Sequence, residues 1–108
     1  MSANFTVDLN GQVALVTRCD GILGRAVALA LARAGAAVTV NGMNPARIDD
    51  IVNDIRDAGS NALGWTGDIS NRMQVSAMIE ATRDAFGSLD VVVHVADINK
   101  RAPLRTLD

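Results

Sequence analysis

Short apolar runs alternate along the chain with longer segments of helical spacing. Four runs of five or six residues are predicted to be strands, and they cover 12–17, 36–40, 62–66 and 91–95. The first is nearly continuous in apolar residues, as in a parallel strand buried on both faces, whereas 62–66 is the weakest signal because it contains a glycine and little β-branching. In the segments between them, apolar side chains recur every three or four residues, which predicts helices over 23–34, from 45 to near 59, and between 70 and 87. The resulting order βαβαβαβ predicts an α/β fold.

Turn residues mark the ends of the predicted helices. Asn44 is suited to cap the second helix, with Pro45 at its first position, and Ser70 is suited to cap the third. Gly35 follows the first helix and Gly87 the third, where a glycine commonly ends a helix. These signals limit each helix to the space between two strands.

Consecutive right-handed crossovers predict a parallel sheet in the strand order 3-2-1-4, with helices on both faces. Strand 1 is then central, and a topological switch point separates strands 1 and 4. Ligands of open α/β sheets bind above the carboxyl ends of the strands at such a point. The turn at 17–24 and the segment 94–98 both lie there.

Composition sets outer bounds on the function. The 108 residues, 49% hydrophobic and 20% charged, suit one globular domain or part of one, spanning 1–108. A formal net charge of −2 offers no basic face for nucleic acid, and no apolar run is long enough to span a membrane. The single Cys19 excludes an intramolecular disulfide and a multi-cysteine metal site. A reducing, cytoplasmic location is therefore expected.

The turn between the first strand and the first helix carries the clearest chemistry. Its amides and the positive end of the helix dipole point to one spot, which suits a phosphate, and Gly21 and Gly24 permit close backbone approach. The alternative is an ordinary strand-to-helix turn. Asp20 is either a ligand contact or, as we favour, a carboxylate at the helix start. Cys19 is either a reactive thiolate or, as we favour, a small turn residue.

The segment Leu9-Asn10-Gly11-Gln12-Val13-Ala14-Leu15-Val16-Thr17, followed by Gly24-Arg25-Ala26, resembles the opening of a short-chain dehydrogenase/reductase. The family loop T-G-x-x-G-x-x-G keeps Thr17, Gly21 and Gly24 here and loses its first glycine to Arg18. Under the more common T-G-x-x-x-G-x-G pattern, only Gly24 remains of the three glycines.

The resemblance continues through most of the chain. Asp68-Ile69 resembles the family's adenine contact, an Asp followed by an aliphatic residue. The segment 86–93, FGSLDVVV, resembles the F-G-x-L-D-x-L-V approach to strand 4, and Pro103-Leu104 resembles a stretch that follows strand 4 in many members. The resemblance implies a Rossmann-like domain.

The resemblance also implies a nicotinamide dinucleotide, NAD or NADP, as cofactor. The candidate cofactor-binding positions of this chain are Thr17, Arg18, Asp20, Gly21, Leu23, Gly24, Gly42, Asp68, Ile69, His94 and Ala96. No catalytic residue and no metal ligand is assigned.

Departures from the family pattern cluster at this site and predict weak or impaired binding. The family's N-N-A-G after strand 4 is His94-Val95-Ala96-Asp97 here, and neither Gly42 nor Met43 supplies the charged side chain that meets the ribose. His94 is either a proton-transfer group or, as we favour, a hydrogen bonder in place of Asn. Arg18 either adds charge for a phosphate or, as we favour, is a solvated turn residue.

The catalytic residues of the family have no counterpart in this chain. The family uses a Ser and a Tyr-x-x-x-Lys pair downstream of strand 4, whereas this sequence has no Tyr and only one Lys, Lys100. Without a general acid the chain is expected to be catalytically incomplete. The alternatives are a degenerate subunit that pairs with an active homologue, and a truncated fragment without function.

Overall fold

The computed structural model describes residues 8–95, so the candidate Ala96 lies outside the described residues. The chain order is β1 (Val13–Val16), α1 (Ile22–Arg33), β2 (Ala37–Gly42), α2 (Pro45–Asp57), β3 (Ala62–Thr66), α3 (Arg72–Phe86) and β4 (Val91–Val93). All four predicted strands are present, including β3, whose glycine and low β-branching make it the weakest strand signal.

The sheet has the order β3-β2-β1-β4, and every neighbouring pair is parallel. The predicted α/β architecture and strand order are therefore confirmed. Val13 of β1 aligns with Ala37 of β2, and Leu15 aligns with Val92 of β4. This register brings the carboxyl ends of β1, β2 and β4 to one edge of the sheet.

The helices cover the two sheet faces unequally. In β2, Val38 and Val40 belong to the hydrophobic core cluster with the buried residues of α1 and α2. The alternate residue Thr39 points to the other face, where its hydroxyl lies 2.8 Å from that of Thr82 in α3. Helices α1 and α2 therefore pack on one face and α3 on the other, because successive side chains of a strand alternate.

The core lies mainly on the α1 and α2 face. Ile48, Ile51 and Ile55 of α2 form a helical stripe that is at most 1% exposed, as their spacing predicts. On the other face α3 leaves an apolar cleft of about 220 Å³, here called the α3-side cleft, lined by Leu15, Thr17, Ile69, Val75, Met78, Ile79, Val92 and His94. Val92 remains 59% exposed.

Several element ends differ from the sequence expectation. The prediction that Ser70 caps α3 was wrong. Asn71 is the cap, and its side chain accepts hydrogen bonds from the amides of Met73 and Gln74. Ser70 instead donates to the Asp68 carboxylate through its amide and its hydroxyl. Strand β4 ends at Val93 rather than at residue 95, where the chain turns toward the end of β1.

Candidate functional site

The candidate site occupies the edge of the sheet formed by the carboxyl ends of its strands, here called the carboxyl edge. Residue 17 follows β1, residue 42 ends β2, residue 68 follows β3 and residue 94 follows β4. Ten of the eleven sequence-predicted positions lie on these segments or on the first turn of α1. The sheet order therefore collects residues from across the sequence at one edge.

Thr17 joins the ends of β1 and β4. Its amide donates to the carbonyl of Val93 at 3.1 Å, and its hydroxyl oxygen accepts from the amide of Val95 at 2.9 Å. That hydroxyl also lies 3.2 Å from Nδ1 of His94. This is the contact that a hydrogen-bonding role for His94 in place of Asn requires.

Arg18 stands in a backbone conformation that favours glycine. Its φ is +55°, in the left-handed region, at the position where the dinucleotide pattern has its first glycine. A Cβ added at Gly24 would lie 2.2 Å from the Arg18 carbonyl oxygen, so the helix packs tightly on this turn. Gly21 has φ −92°, and a Cβ there would meet only that same oxygen, at 3.6 Å.

The first turn of α1 has no side-chain cap. Gly21 is its N-cap residue, and no side chain among residues 8–95 accepts from its first amides, whereas α2 and α3 are each capped by an Asn that accepts two amide hydrogen bonds. Ile22 is 93% exposed at this end, and Leu23 is also exposed. Uncapped amides and the positive end of a helix dipole are suited to bind an anion.

Asp20 does not occupy the role of a helix-start carboxylate that we favoured from the sequence. Its Oδ2 accepts from the amides of Met43, at 2.8 Å, and Asn44, at 3.1 Å, so it binds the turn after β2. Gly42 is buried directly beneath it, with a built Cβ 2.9 Å from the Asp20 carboxyl carbon. The Asp20 carboxylate therefore binds the turn after β2 because that turn presents two amides.

Cys19 is fully buried, and the reactive-thiolate interpretation was wrong. Burial raises the pKa of its thiol to about 12, against a smaller lowering by the backbone of Asn41. Its amide donates to the Asn41 carbonyl at 2.7 Å, and its thiol lies 3.2 Å from the carbonyl of Val16. Cys19 therefore packs the turn onto β2 as a small apolar residue.

Asp68 and Ile69 differ in environment. The amide and hydroxyl of Ser70 donate to Asp68 Oδ1, and these bonds, together with the charge of Arg18, hold the pKa of the exposed Asp68 carboxyl below its usual value. The Asp68 amide donates to Gln74, which leaves the carboxylate facing outward. Ile69 lines the α3-side cleft. The pair thus presents one charged and one apolar contact.

Sequence reasoning missed the contribution of Asn41. Its amide Nδ2 donates to the carbonyls of Trp65 and Gly67, which holds the end of β3 against the end of β2. The signal that could have indicated this role is an Asn near the end of an otherwise apolar strand. Such an amide is expected to be buried, and a buried amide needs hydrogen-bond partners.

Across residues 8–95, no cluster of His, Cys, Asp and Glu is suited to hold a metal ion. Within the same range, no helix is long and apolar enough to cross a membrane.

A family model, that of short chain dehydrogenase, matches residues 12–108. The chain belongs to the short-chain dehydrogenase family. It is 42% identical over 103 residues to the peroxisomal hydratase-dehydrogenase-epimerase of Neurospora crassa, an alignment covering 94% of this chain and 11% of that protein.

Solved structures of the short-chain dehydrogenase family share this fold. A dehydrogenase/reductase from Sinorhizobium meliloti superposes with a TM-score of 0.83 at 35% identity, covering 93% of this chain and 40% of the other. A short-chain dehydrogenase/reductase from Burkholderia phymatum, in complex with NAD, gives a TM-score of 0.75 at 29% identity, covering 79% and 30%. This chain spans less than half the length of each protein compared.

Proposed function

We propose that this chain is the dinucleotide-binding half of an NAD(P)-dependent oxidoreductase and that it binds the cofactor at the carboxyl edge. The observation that carries the proposal is the uncapped first turn of α1, whose amides lie at the end of β1 with Gly24 pressed onto the Arg18 carbonyl. A close helix-to-strand approach and free amides are what a pyrophosphate needs. The NAD complex of a family member supports the same ligand class.

Each part of the dinucleotide has candidate residues in this chain. The turn at 17–24 would hold the pyrophosphate, Asp68 and Ile69 would contact adenine, and Gly42 adjoins the ribose position. His94, with Ala96 after it in the sequence, would adjoin the nicotinamide end. When bound, the nicotinamide supplies a hydride acceptor or donor, and the chain's own residues bind and orient it.

Binding is expected to be weak and to rest mainly on the adenosine half. Arg18 adds positive charge to the turn but also bulk where the family pattern has glycine, and its backbone is fixed in the left-handed region. In the sequence, Asp97 stands where the family pattern has the glycine associated with the nicotinamide ribose, so a negative charge replaces a glycine at that position of the pattern. The adenine-side residues Asp68 and Ile69 retain the pattern.

Turnover by these 108 residues alone is not expected. The sequence has no Tyr to donate a proton to a carbonyl, and Lys100 has no partner at the family spacing. A Tyr-x-x-x-Lys encoded beyond Asp108 would favour an enzyme, and its absence a non-catalytic subunit. The expected cytoplasmic location also stays a prediction.

A pair of isosteric variants tests the phosphate site without weakening the fold. Gly21→Asp and Gly21→Asn both cap α1, because Asp and Asn are favoured N-cap residues and Gly21 has extended backbone angles. Only Gly21→Asp places a negative charge where the phosphates are proposed to lie. Because the capping oxygen of either variant accepts from amides that are proposed to meet the phosphates, we expect calorimetry to show ADP and NAD binding weakened about tenfold in Gly21→Asn and lost in Gly21→Asp, where charge repulsion adds to the loss.

Thermal melts of both variants serve as the folding control. Equal ADP affinity in Gly21→Asp and Gly21→Asn, with both folded, would mean that the first turn of α1 does not hold phosphate. Reproducible oxidoreductase turnover by the purified chain with either cofactor would overturn the proposal that it is catalytically incomplete.

A second candidate function is a non-catalytic subunit that pairs with an active homologue. The α3-side cleft and the exposed Val92 favour it, because they form an apolar surface next to a strand whose one neighbour within residues 8–95 is β1. Co-expression with a complete homologue, followed by size-exclusion chromatography, tests for a stable mixed oligomer.

A further inference from the structure

The Asp20 side chain lies against Gly42 at the carboxyl edge, where Gly42 has no side chain of its own. A Cβ built on Gly42 falls 2.9 Å from the Asp20 carboxyl carbon and 3.0 Å from its Oδ2. Cδ1 of Ile48 lies on another side of the same built Cβ, at 2.7 Å, so the Asp20 carboxyl group and Ile48 together occupy the volume into which a side chain at the end of β2 would extend. A carboxylate is present at the end of β2 although no acidic residue ends that strand.

The position of this carboxylate is held from several sides. Oδ2 accepts from the amides of Met43 and Asn44, and the Asp20 carbonyl accepts from Nη1 of Arg47 at 3.2 Å. The preceding residue, Cys19, donates its amide to the carbonyl of Asn41 on β2. No residue within 8–95 donates to Oδ1 of Asp20, so that oxygen remains available as an acceptor.

In Rossmann domains an acidic residue about 20 positions after the glycine-rich turn accepts hydrogen bonds from the adenosine ribose, and a nearby Arg accommodates a 2′-phosphate instead. We propose that Asp20 supplies this ribose-binding carboxylate from the turn after β1, and that the chain therefore selects the 2′-hydroxyl dinucleotide over the 2′-phosphorylated one. This inference rests on the proposed function. Oδ1 would accept from the ribose hydroxyls while Oδ2 stays bound to Met43 and Asn44.

Arg47 is the residue that argues for the opposite preference. It lines a cleft with Asp20, Arg25 and Asp50, and a guanidinium there is suited to a phosphate. Nη1 of Arg47 already donates to the backbone carbonyl of Asp20, which keeps the guanidinium next to the residue that carries the carboxylate. A 2′-phosphate approaching Arg47 therefore meets the carboxylate as well, and like charges repel.

The test compares ADP with adenosine 2′,5′-bisphosphate, which differs from AMP by the 2′-phosphate, and NAD with NADP, on the full 108-residue chain. Binding is followed by NMR titration of the isotope-labelled protein, with the amides of Met43 and Asn44 as reporters of the Asp20 carboxylate. We expect NAD to bind about tenfold more tightly than NADP, because a charge-assisted hydrogen bond is replaced by repulsion.

Asp20→Asn keeps the shape and an oxygen for the two amides but removes the charge. We expect it to weaken NAD about tenfold and to bring NAD and NADP within about twofold of each other. Asp49→Asn, which removes an exposed charge on α2, is the matched control and should leave the preference unchanged. Asp20→Ser, whose hydroxyl accepts one amide, gives a second test if Asp20→Asn does not fold.

The outcomes separate the two proposals. If the chain binds ADP and NAD but favours NADP, or if its preference persists in Asp20→Asn and Asp20→Ser, the role of Asp20 is wrong and the proposed function stands. If no adenine nucleotide binds to the folded chain, the proposed function is wrong and the inference falls with it.

Discussion

Gly21 and Gly24, the two glycines of the turn at 17–24, differ in how much room their surroundings leave for a side chain. Gly24 faces the Arg18 carbonyl so closely that any side chain must displace backbone, whereas a Cβ at Gly21 fits with ordinary contact. The sequence pattern singles out both residues without separating these reasons. Gly24 is required by the close packing of α1 on the turn, whereas packing does not require a glycine at position 21.

Gly24→Ala is therefore expected to destabilise the chain by about 3 kcal/mol, in the range of overpacked cores. Gly21→Ala should change the free energy of unfolding by less than about 1 kcal/mol, since its backbone angles suit alanine. Urea unfolding of both variants measures the difference. Equal stability of the two variants would show that α1 can move away from the turn without cost.

Cys19 should be protected from thiol reagents in the native chain. Because burial raises its pKa to about 12 from an ordinary 9.0, the folded protein keeps the proton that the unfolded protein loses between these values. The free energy of unfolding then falls as pH rises through this window, and the contribution is fully present below pH 9.0. Alkylation rates with and without urea check the protection.

Cys19→Ala is the control for the pH dependence, because it removes the titrating group and keeps a small side chain. The stability difference between the two chains should shrink as pH rises above 9.0. Rapid alkylation of the native protein at neutral pH would contradict the burial of this thiol.

At the scale of elements, local patterns predicted the helices and strands because each has its own start and stop residues. Ser70 and Asn71 are both favoured N-cap residues. The hydroxyl and amide of Ser70 are bound to the Asp68 carboxylate, so Asn71 is the residue that caps α3. The contact of Asp20 with Met43 was not predictable from local pattern, because it depends on how closely β1 and β2 place their following turns.

One buried hydroxyl pair, Thr39 and Thr82, joins α3 to the sheet. Thr82 donates its single proton to the carbonyl of Met78, so in the pair with Thr39 it is Thr39 that donates. Thr82→Val leaves the buried Thr39 proton without its acceptor and should cost about 1–3 kcal/mol. Thr39→Val leaves Thr82 bonded to Met78 and should cost less than about 1 kcal/mol.

A double-mutant cycle measured by urea unfolding checks this asymmetry. The double variant should be about as stable as Thr39→Val alone, because no buried donor is then left unpaired. Equal losses in the two single variants would contradict the assigned direction of the hydrogen bond.

At the scale of the whole molecule, one face of the sheet is well covered and the other is only partly covered. Helix α3 packs on the side of β2 and β3, while Leu15 and Val92 line the open α3-side cleft. The fold could be predicted from the sequence because strands and helices alternate along the chain, and right-handed crossovers then leave few possible strand orders. The activity could not, because the chain spans less than half of each compared family member.

The exposed apolar surface at β4 predicts self-association or a need for a partner. Val92→Lys should reduce association, because it places a charge on the exposed face of a sheet edge. Met73→Lys is the matched control, since Met73 is also exposed but lies on α3 and does not line the cleft. Sedimentation velocity at several concentrations measures the effect. A single monomeric species for the unmodified chain at the highest concentration would contradict the predicted association.

The most direct test of the account is calorimetric titration of the unmodified chain with ADP and with NAD. The uncapped first turn of α1 and the Asp68-Ile69 pair predict that ADP binds, and the altered residues after β4 predict that the nicotinamide half adds little. We expect the two dissociation constants to agree within about threefold, since less than about 1 kcal/mol then separates them. Submicromolar binding of NAD, much tighter than that of ADP, would contradict this account.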